Sequence, residues 1–186
     1  IIQQLHVSAL GAEKINLAVC QAMKSATPDL LALFASKREF ICADLFTIER
    51  TTGDAIRCCN IDVPVYWDGN MYTSYGIQPS GVRYRMIVGL EADEQTMSLA
   101  CDRGVTIGAI PFLDAVKDGL LDGARITRHR AYMDSWETPV ITGIVPVGCV
   151  LLFSGYVSSV DSLTRMGCEL RVKSDIALLD VNMPRN

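Results

Sequence analysis

The alternation of apolar and polar positions divides the chain into a helical stretch, a run of short strands, a second helical stretch and a return to strands. Leu30, Leu31, Leu33 and Phe34 recur at the spacing that lays one apolar stripe along a helix. Thr27 stands at the N-cap, Pro28 at the first helical position, where no N–H is needed, and Asp29 at the positive end of the dipole. Polar Ser36, Lys37, Arg38 and Glu39 close that helix. Residues 40–50 (F-I-C-A-D-L-F-T-I-E-R) read as a strand buried on one face, and Thr51-Thr52-Gly53-Asp54 turns the chain into a return strand at 55–59. Asp68-Gly69 then predicts a tight hairpin between strands 63–67 and 70–72, because both central positions of such a turn want positive φ. Gly76 and Pro79-Ser80-Gly81 break the chain before strands predicted at 82–88 and 95–100, joined by a turn at 89–93.

The period changes over residues 106–121, where Ile107, Ile110, Leu113, Val116, Leu120 and Leu121 fall at helical spacing and Gly123 follows the end. This stretch predicts the main packed helix. Residues 124–132 return to strand and carry Arg125, Arg128 and Arg130 on what should be its solvated face. Residues 134–146, with Trp136, Pro139 and Pro146, predict a long exposed loop. A final hairpin is expected from strands 148–160 and 163–173 around Val160-Asp161-Ser162, with a short helical tail at 174–179. Short strands bounded by turn residues specify an α+β fold, mainly antiparallel β: a barrel or sandwich with one main helix and short terminal helices. Residues 1–22 form an arm of uncertain structure, and residues 23–186 read as one domain without linker or repeat.

A length of 186 residues suits one buried core and would cramp two domains. No apolar run approaches the roughly 20 residues a membrane span needs, so none is expected. The formal net charge of -4 argues against tracking a phosphate backbone, and sequence-specific nucleic-acid binding is not expected. The 7 cysteines (Cys20, Cys42, Cys58, Cys59, Cys101, Cys149 and Cys168) include no C-x-x-C pair and mostly lie in apolar runs, as small hydrophobes in a reducing compartment do. The first residues lack the pattern of a secretory signal, and because Ile1 is not an initiator methionine, Met23 is read as the native start.

Cys58 or Cys59 with His129 could act as a thiol nucleophile and its base. Neighbours on a strand point to opposite faces, so at most one of the two thiols can face the histidine; the competing reading is one core and one half-exposed cysteine. His129, between Arg128 and Arg130, is expected at the surface with cationic neighbours lowering its pKa. Asp62, Asp68 and Asp93 sit singly in turns, and no His or Cys pair has ligand spacing, so no catalytic, cofactor or metal residue is assigned. Arg83, Arg85, Arg125, Arg128 and Arg130 line either a positive channel or a solvated strand face. Tyr66, Trp67, Tyr72, Tyr75 and Trp136, together with Arg125, Arg128 and Arg130, are the interface candidates, with core packing as the competing explanation for each aromatic.

Taken in order, S-A-T-P-D-L-L-A-L-F, F-I-C-A-D-L-F-T-I-E-R, N-I-D-V-P-V-Y-W-D-G-N-M-Y, I-Q-P-S-G-V-R, G-L-E-A-D-E-Q-T-M-S-L, D-G-L-L-D-G-A-R-I, L-L-F-S-G-Y-V-S-S-V and L-L-D-V-N-M-P-R resemble the phage minor tail protein L family, the tail-tip hub proteins of siphophages and gene-transfer agents. The resemblance implies a non-enzymatic role: a tail-tube-like β-barrel, in a trimeric ring of copies, joining the distal tail protein to the central receptor-binding or penetration hub. It further implies tape-measure protein as a partner, a part in tail assembly and DNA passage, and a place at the virion tail tip after assembly in the host cytoplasm. In that family a cysteine-rich domain holding an iron-sulfur cluster follows this region. None of the cysteines here matches its ligands, so no cofactor is expected within residues 1–186. The alternatives are a cysteine hydrolase-like module using Cys58 or Cys59 with His129, and a carbohydrate- or receptor-binding module using the exposed aromatics.

Overall fold

In a computed structural model, residues 26–36, 39–51, 53–74, 76–85, 94–102, 104–107, 109–136 and 143–175 are described. The expectations for residues 1–22, Tyr75, residues 86–93, the loop core at 137–142 and the tail after Asp175 lie outside them.

Helix α1 (Pro28–Ala35) starts where the Leu30 amide donates to Thr27 Oγ1 at 3.4 Å. It ends at Ser36, whose amide returns to the Ala32 carbonyl at 3.0 Å. Its buried stripe, Leu30 and Leu33, packs on Val150 with Tyr132 and Val147 alongside. Seven strands then make one antiparallel sheet. β1 (Ile41–Glu49) lies between β2 (Ile56–Cys59) and β9 (Arg125–Met133). From β9 the sheet continues through β10 (Gly148–Leu163), β11 (Gly167–Ser174), β6 (Glu94–Cys101) and β5 (Ile77–Arg85). The two edge strands, β2 and β5, lie against each other, so the sheet is a nearly closed barrel. β3 (Val65–Trp67) and β4 (Asn70–Tyr72) form the expected hairpin, with Asp68 at φ 50° and Gly69 at φ 72°. Among the described residues no helix is long and apolar enough to cross a membrane.

Period-2 geometry sorts the core onto two faces. Phe46 and Ile48 of β1, Ile126 of β9, Phe153 of β10, Met97 and Leu99 of β6 and Leu170 of β11 fill the barrel interior. Ala43 and Leu45 of β1, Ala131 and Met133 of β9 and Cys59 face outward, under Val65, Tyr72 and Ile144 of an outer layer. β1 is thus buried on both faces along its middle, not on one as its sequence suggested.

Three further boundaries differ from expectation. Residues 106–121 are not a single helix: β7 (Thr106–Ile107) and β8 (Ile110–Pro111) form a small hairpin, followed by helix α2 (Phe112–Lys117). Pro111 has no N–H to continue a helix and biases Ile110 toward extended backbone. The apolar positions still do their packing, since Phe112, Val116 and Leu121 all join the barrel core. β5 begins at Ile77 and absorbs Pro79-Ser80-Gly81 in a register shift between Ser80 and Arg83, which an edge strand tolerates. β10 runs through Val160-Asp161-Ser162 with shifts between Val157 and Ser159 and between Val160 and Ser162. The reversal comes later, where the amide and hydroxyl of Thr164 both donate to the Gly167 carbonyl, at 2.8 and 2.9 Å.

Candidate functional site

The β3–β4 hairpin carries most of the aromatic candidates, and alternation along its strands divides them. Val65, Trp67 and Tyr72 point toward the barrel. Tyr72 is 3% exposed, and its hydroxyl shares a 2.9 Å hydrogen bond with Thr47 Oγ1. The Trp67 ring lies 4.7 Å from the His129 ring at a 50° tilt. The expected use of Tyr72 as a contact has no exposed ring behind it, because the ring is spent on the chain's own core. Tyr66 and Met71 form the outward cross-strand pair, exposed by 42% and 39%. Beside them the chain returns as a third, strand-like segment, with Tyr66 N donating to Ile144 O at 2.9 Å and Ile144 N to Pro64 O at 2.8 Å. Val145 stands out of that segment at 68% exposure, and Trp136, where the long loop begins, is also exposed. Met71 went unnoticed in the sequence, although its place opposite Tyr66 across the predicted turn would have flagged it.

The arginines divide as well. Arg125 is exposed, near Ser154 Oγ at 3.2 Å and Asp175 at 3.6 Å. Arg128 and Arg130 do not lie on a solvated face or line an open positive channel: both point to the inner face and converge on Asp44. Arg128 Nη2 donates to Asp44 Oδ2 at 2.6 Å; Arg130 donates through Nε to Oδ1 at 2.8 Å and through Nη2 to Oδ2 at 3.2 Å. The Arg128 guanidinium also lies 5.8 Å from the Phe46 ring centre, and its Nη1 is 3.5 Å from Gln95 Oε1. Burial alone would raise the Asp44 pKa, but the hydrogen bonds from Arg130 and Arg128 outweigh it and hold the carboxyl below its ordinary value. The sequence signal for this cluster was a lone acid inside an apolar strand, since a charge there needs a partner.

His129 is half-buried rather than at the surface. Burial lowers its pKa while Asp68 opposes the shift, and the flanking arginines point to the opposite face of β9. Cys58 is sealed in the barrel core, on the other face from His129, where burial pushes its thiol up to about 12. Cys59 shares the outer face but is two strands away, separated by Leu45, which places it roughly 10 Å off. Its thiol faces the main-chain carbonyls of Ile61 at 3.3 Å and Tyr72 at 3.6 Å. Neither cysteine is therefore positioned to use His129 as a base. Among the described residues no group of three or more His, Cys, Asp or Glu could hold a metal ion. At the barrel end beyond β6, a cleft of about 650 Å³ opens between α2 and the β10–β11 turn, lined by Val105, Pro111, Phe112, Leu113 and Leu163 among others.

Residues 27–186 match the phage family model described as baseplate hub protein, N-terminal attachment domain. None of the curated proteins matches the chain. Among solved structures, the fold is similar to a chain of the virion of a native gene transfer agent particle: TM-score 0.60, 17% identity, 86% of this chain and 49% of that one. The chain thus spans about half the length of that neighbour, and at this identity the likeness is one of fold. The residues resemble the minor tail protein L family, whereas the family that matches is described by the baseplate hub; the statement common to both is a phage tail protein. With an antiparallel, nearly closed barrel and a match from residue 27 to the last, the chain belongs to the phage baseplate hub family as its N-terminal attachment domain, a structural component of the tail or baseplate.

Proposed function

We propose that this chain is a non-enzymatic part of the tail-tip ring, related in role to minor tail protein L, linking the distal tail protein to the central hub and contributing to tail assembly and DNA passage. Copies form a trimeric ring at the virion tail tip after assembly in the host cytoplasm, with tape-measure protein as a further neighbour. The observation that carries this reading is the outer layer itself. One side of the β3–β4 hairpin is fully engaged with the barrel, while Tyr66, Met71 and the adjacent Val145 present apolar surface outward. Aromatic and Met side chains on a rigid support are what the centre of a protein interface uses.

Two measurements test it. The double variant Tyr66→Ala, Met71→Ala truncates two side chains that are only 42% and 39% exposed, so it should stay folded with a modestly lowered melting temperature while tail assembly fails; normal tails at wild-type yield would remove the hairpin from the interface. Light scattering of the purified chain, alone and with the distal tail protein, should give a defined trimer or a stable joint ring. A monomer indifferent to that partner would count against the ring.

A further inference from the structure

The root and the tip of the β3–β4 hairpin are held to the barrel by different means. At the root Val65 and Tyr72 are buried, the Tyr72 hydroxyl is bonded to Thr47, and the Cys59 amide donates to the Thr73 carbonyl at 3.2 Å. Tyr66 is tied sideways to Ile144. Beyond it, among the described residues, no hydrogen bond or ion pair runs from residues 67–70 to the barrel. Asn70 Nδ2 donates within the turn itself, to Asp68 O at 2.7 Å. What seats the tip is Trp67, half-buried at the margin of the outer core, with its ring 4.7 Å from that of His129.

His129 is a poor place for a proton. Its Nδ1 is shut off from solvent and has no hydrogen-bond partner among the described residues. A neutral imidazole can leave that nitrogen as an unused acceptor, whereas an imidazolium carries N–H on both nitrogens and here one of them would face nothing that accepts it. The surroundings explain why. Leu45 of β1 and Leu151 of β10 lie opposite His129 on either side, and Thr127, Ala131 and Cys149 share its face. Arg57 of β2 belongs to the same outer face but is two strands away, and Arg128, Arg130 and Asp44 point to the other side of the sheet.

Two groups on the hairpin favour the cation: the face of the Trp67 ring and the Asp68 carboxylate. Neither supplies an acceptor to Nδ1, and burial outweighs the attraction of Asp68, so the folded protein holds the proton less well than a free histidine does. The seating of the tip is therefore complete above the ordinary histidine value, about 6.5, and is lost as pH falls below it toward the lower folded value.

We propose that the Trp67–His129 contact is an acid-sensitive latch: a proton on His129 unseats the hairpin tip so that Nδ1–H reaches water, while the root stays on the barrel. Tyr66 and Met71 stand on the same hairpin, so the latch alters the apolar surface assigned above to assembly. That consequence rests on the tail reading; the latch itself does not. The test uses the purified chain carrying Trp136→Phe, which leaves Trp67 as its one tryptophan. Emission wavelength and acrylamide quenching of Trp67 are followed from about pH 7.5 to about pH 5, with far-ultraviolet circular dichroism recorded alongside. The expected result is a red shift and severalfold stronger quenching in acid with the dichroism unchanged. Adding His129→Phe, which keeps a ring against Trp67 but takes no proton, should abolish the response; His129→Gln serves if that variant does not fold. A Trp67 signal flat across this range would overturn the proposal, as would the same acid response without His129. A loss of dichroism in step with the Trp67 signal would also overturn it, because the barrel and not the tip would then be opening. None of these outcomes touches the tail reading, which the light-scattering experiment tests separately.

Discussion

Replacing Asp44 by asparagine keeps the shape of the side chain and removes only its charge. In the wild type that carboxylate accepts N–H groups at 2.6, 2.8 and 3.2 Å from two guanidinium groups. Arg128 is 13% exposed and Arg130 37%, so the first loses its counter-charge inside the barrel while the second can turn to water. Breaking a buried pair by removing one partner costs about 3–5 kcal/mol, and the solvation open to Arg130 points to the lower figure, about 3 kcal/mol. For a domain of this size that corresponds to a drop in melting temperature of about 6–12 °C at neutral pH. The pH dependence carries a sign. Because the Asp44 pKa is lower folded than unfolded, its contribution is fully present above the ordinary carboxylate value, about 4, and is lost as pH falls through the folded pKa. Thermal melts of Asp44→Asn and wild type should therefore be furthest apart near neutrality and converge in acid. A variant within about 2 °C of wild type at neutral pH, or a gap that stays constant into acid, would refute the role given to this cluster.

Gly155→Ala drives a Cβ into the Lys173 carbonyl on the neighbouring strand, so denaturant unfolding should show a loss of about 2 kcal/mol or more; an unchanged midpoint would contradict the close approach. Tyr72→Phe keeps the buried ring and deletes its bond to Thr47, which should cost about 1 kcal/mol in the same assay. Thiol labelling at mildly alkaline pH should modify exposed Cys42 and leave Cys58 untouched until denaturant is added, because burial pushes Cys58 up to about 12. Fast labelling of Cys58 in the native protein would revive it as a nucleophile.

Local rules made much of this fold legible. Thr27, Pro28 and the stripe at Leu30 and Leu33 marked α1, and Asp68-Gly69 marked the hairpin, because caps and tight turns are decided by residues a few positions apart. Residues 106–121 misled because helical spacing and inward-facing apolar residues coincide there, and only Pro111 records that the first third cannot be helix. Val160-Asp161-Ser162 looked like a turn because a bulge places polar residues together as a turn does. The fate of Arg128 and Arg130 was out of reach: what sets it is a carboxylate 84 and 86 residues earlier in the chain, and no local pattern connects them. Likewise Tyr66 and Tyr72 look alike in sequence, and only the docking of the hairpin on the barrel separates the exposed ring from the buried one.

The pairing of β1 with β9 also has a cost in time. β10–β11 and β5–β6 join near neighbours, whereas Asp44 must wait for Arg128, 84 residues downstream. At a synthesis rate of about 5–20 residues per second, β1 spends on the order of 4–17 s off the ribosome's assembly line before its partner strand exists. During that interval a strand apolar on both sides, with an acid at its centre, has only β2 and the β3–β4 hairpin for shelter. The two-faced burial that makes β1 the spine of the finished barrel therefore belongs to the strand that waits longest for its partner while the chain is being made.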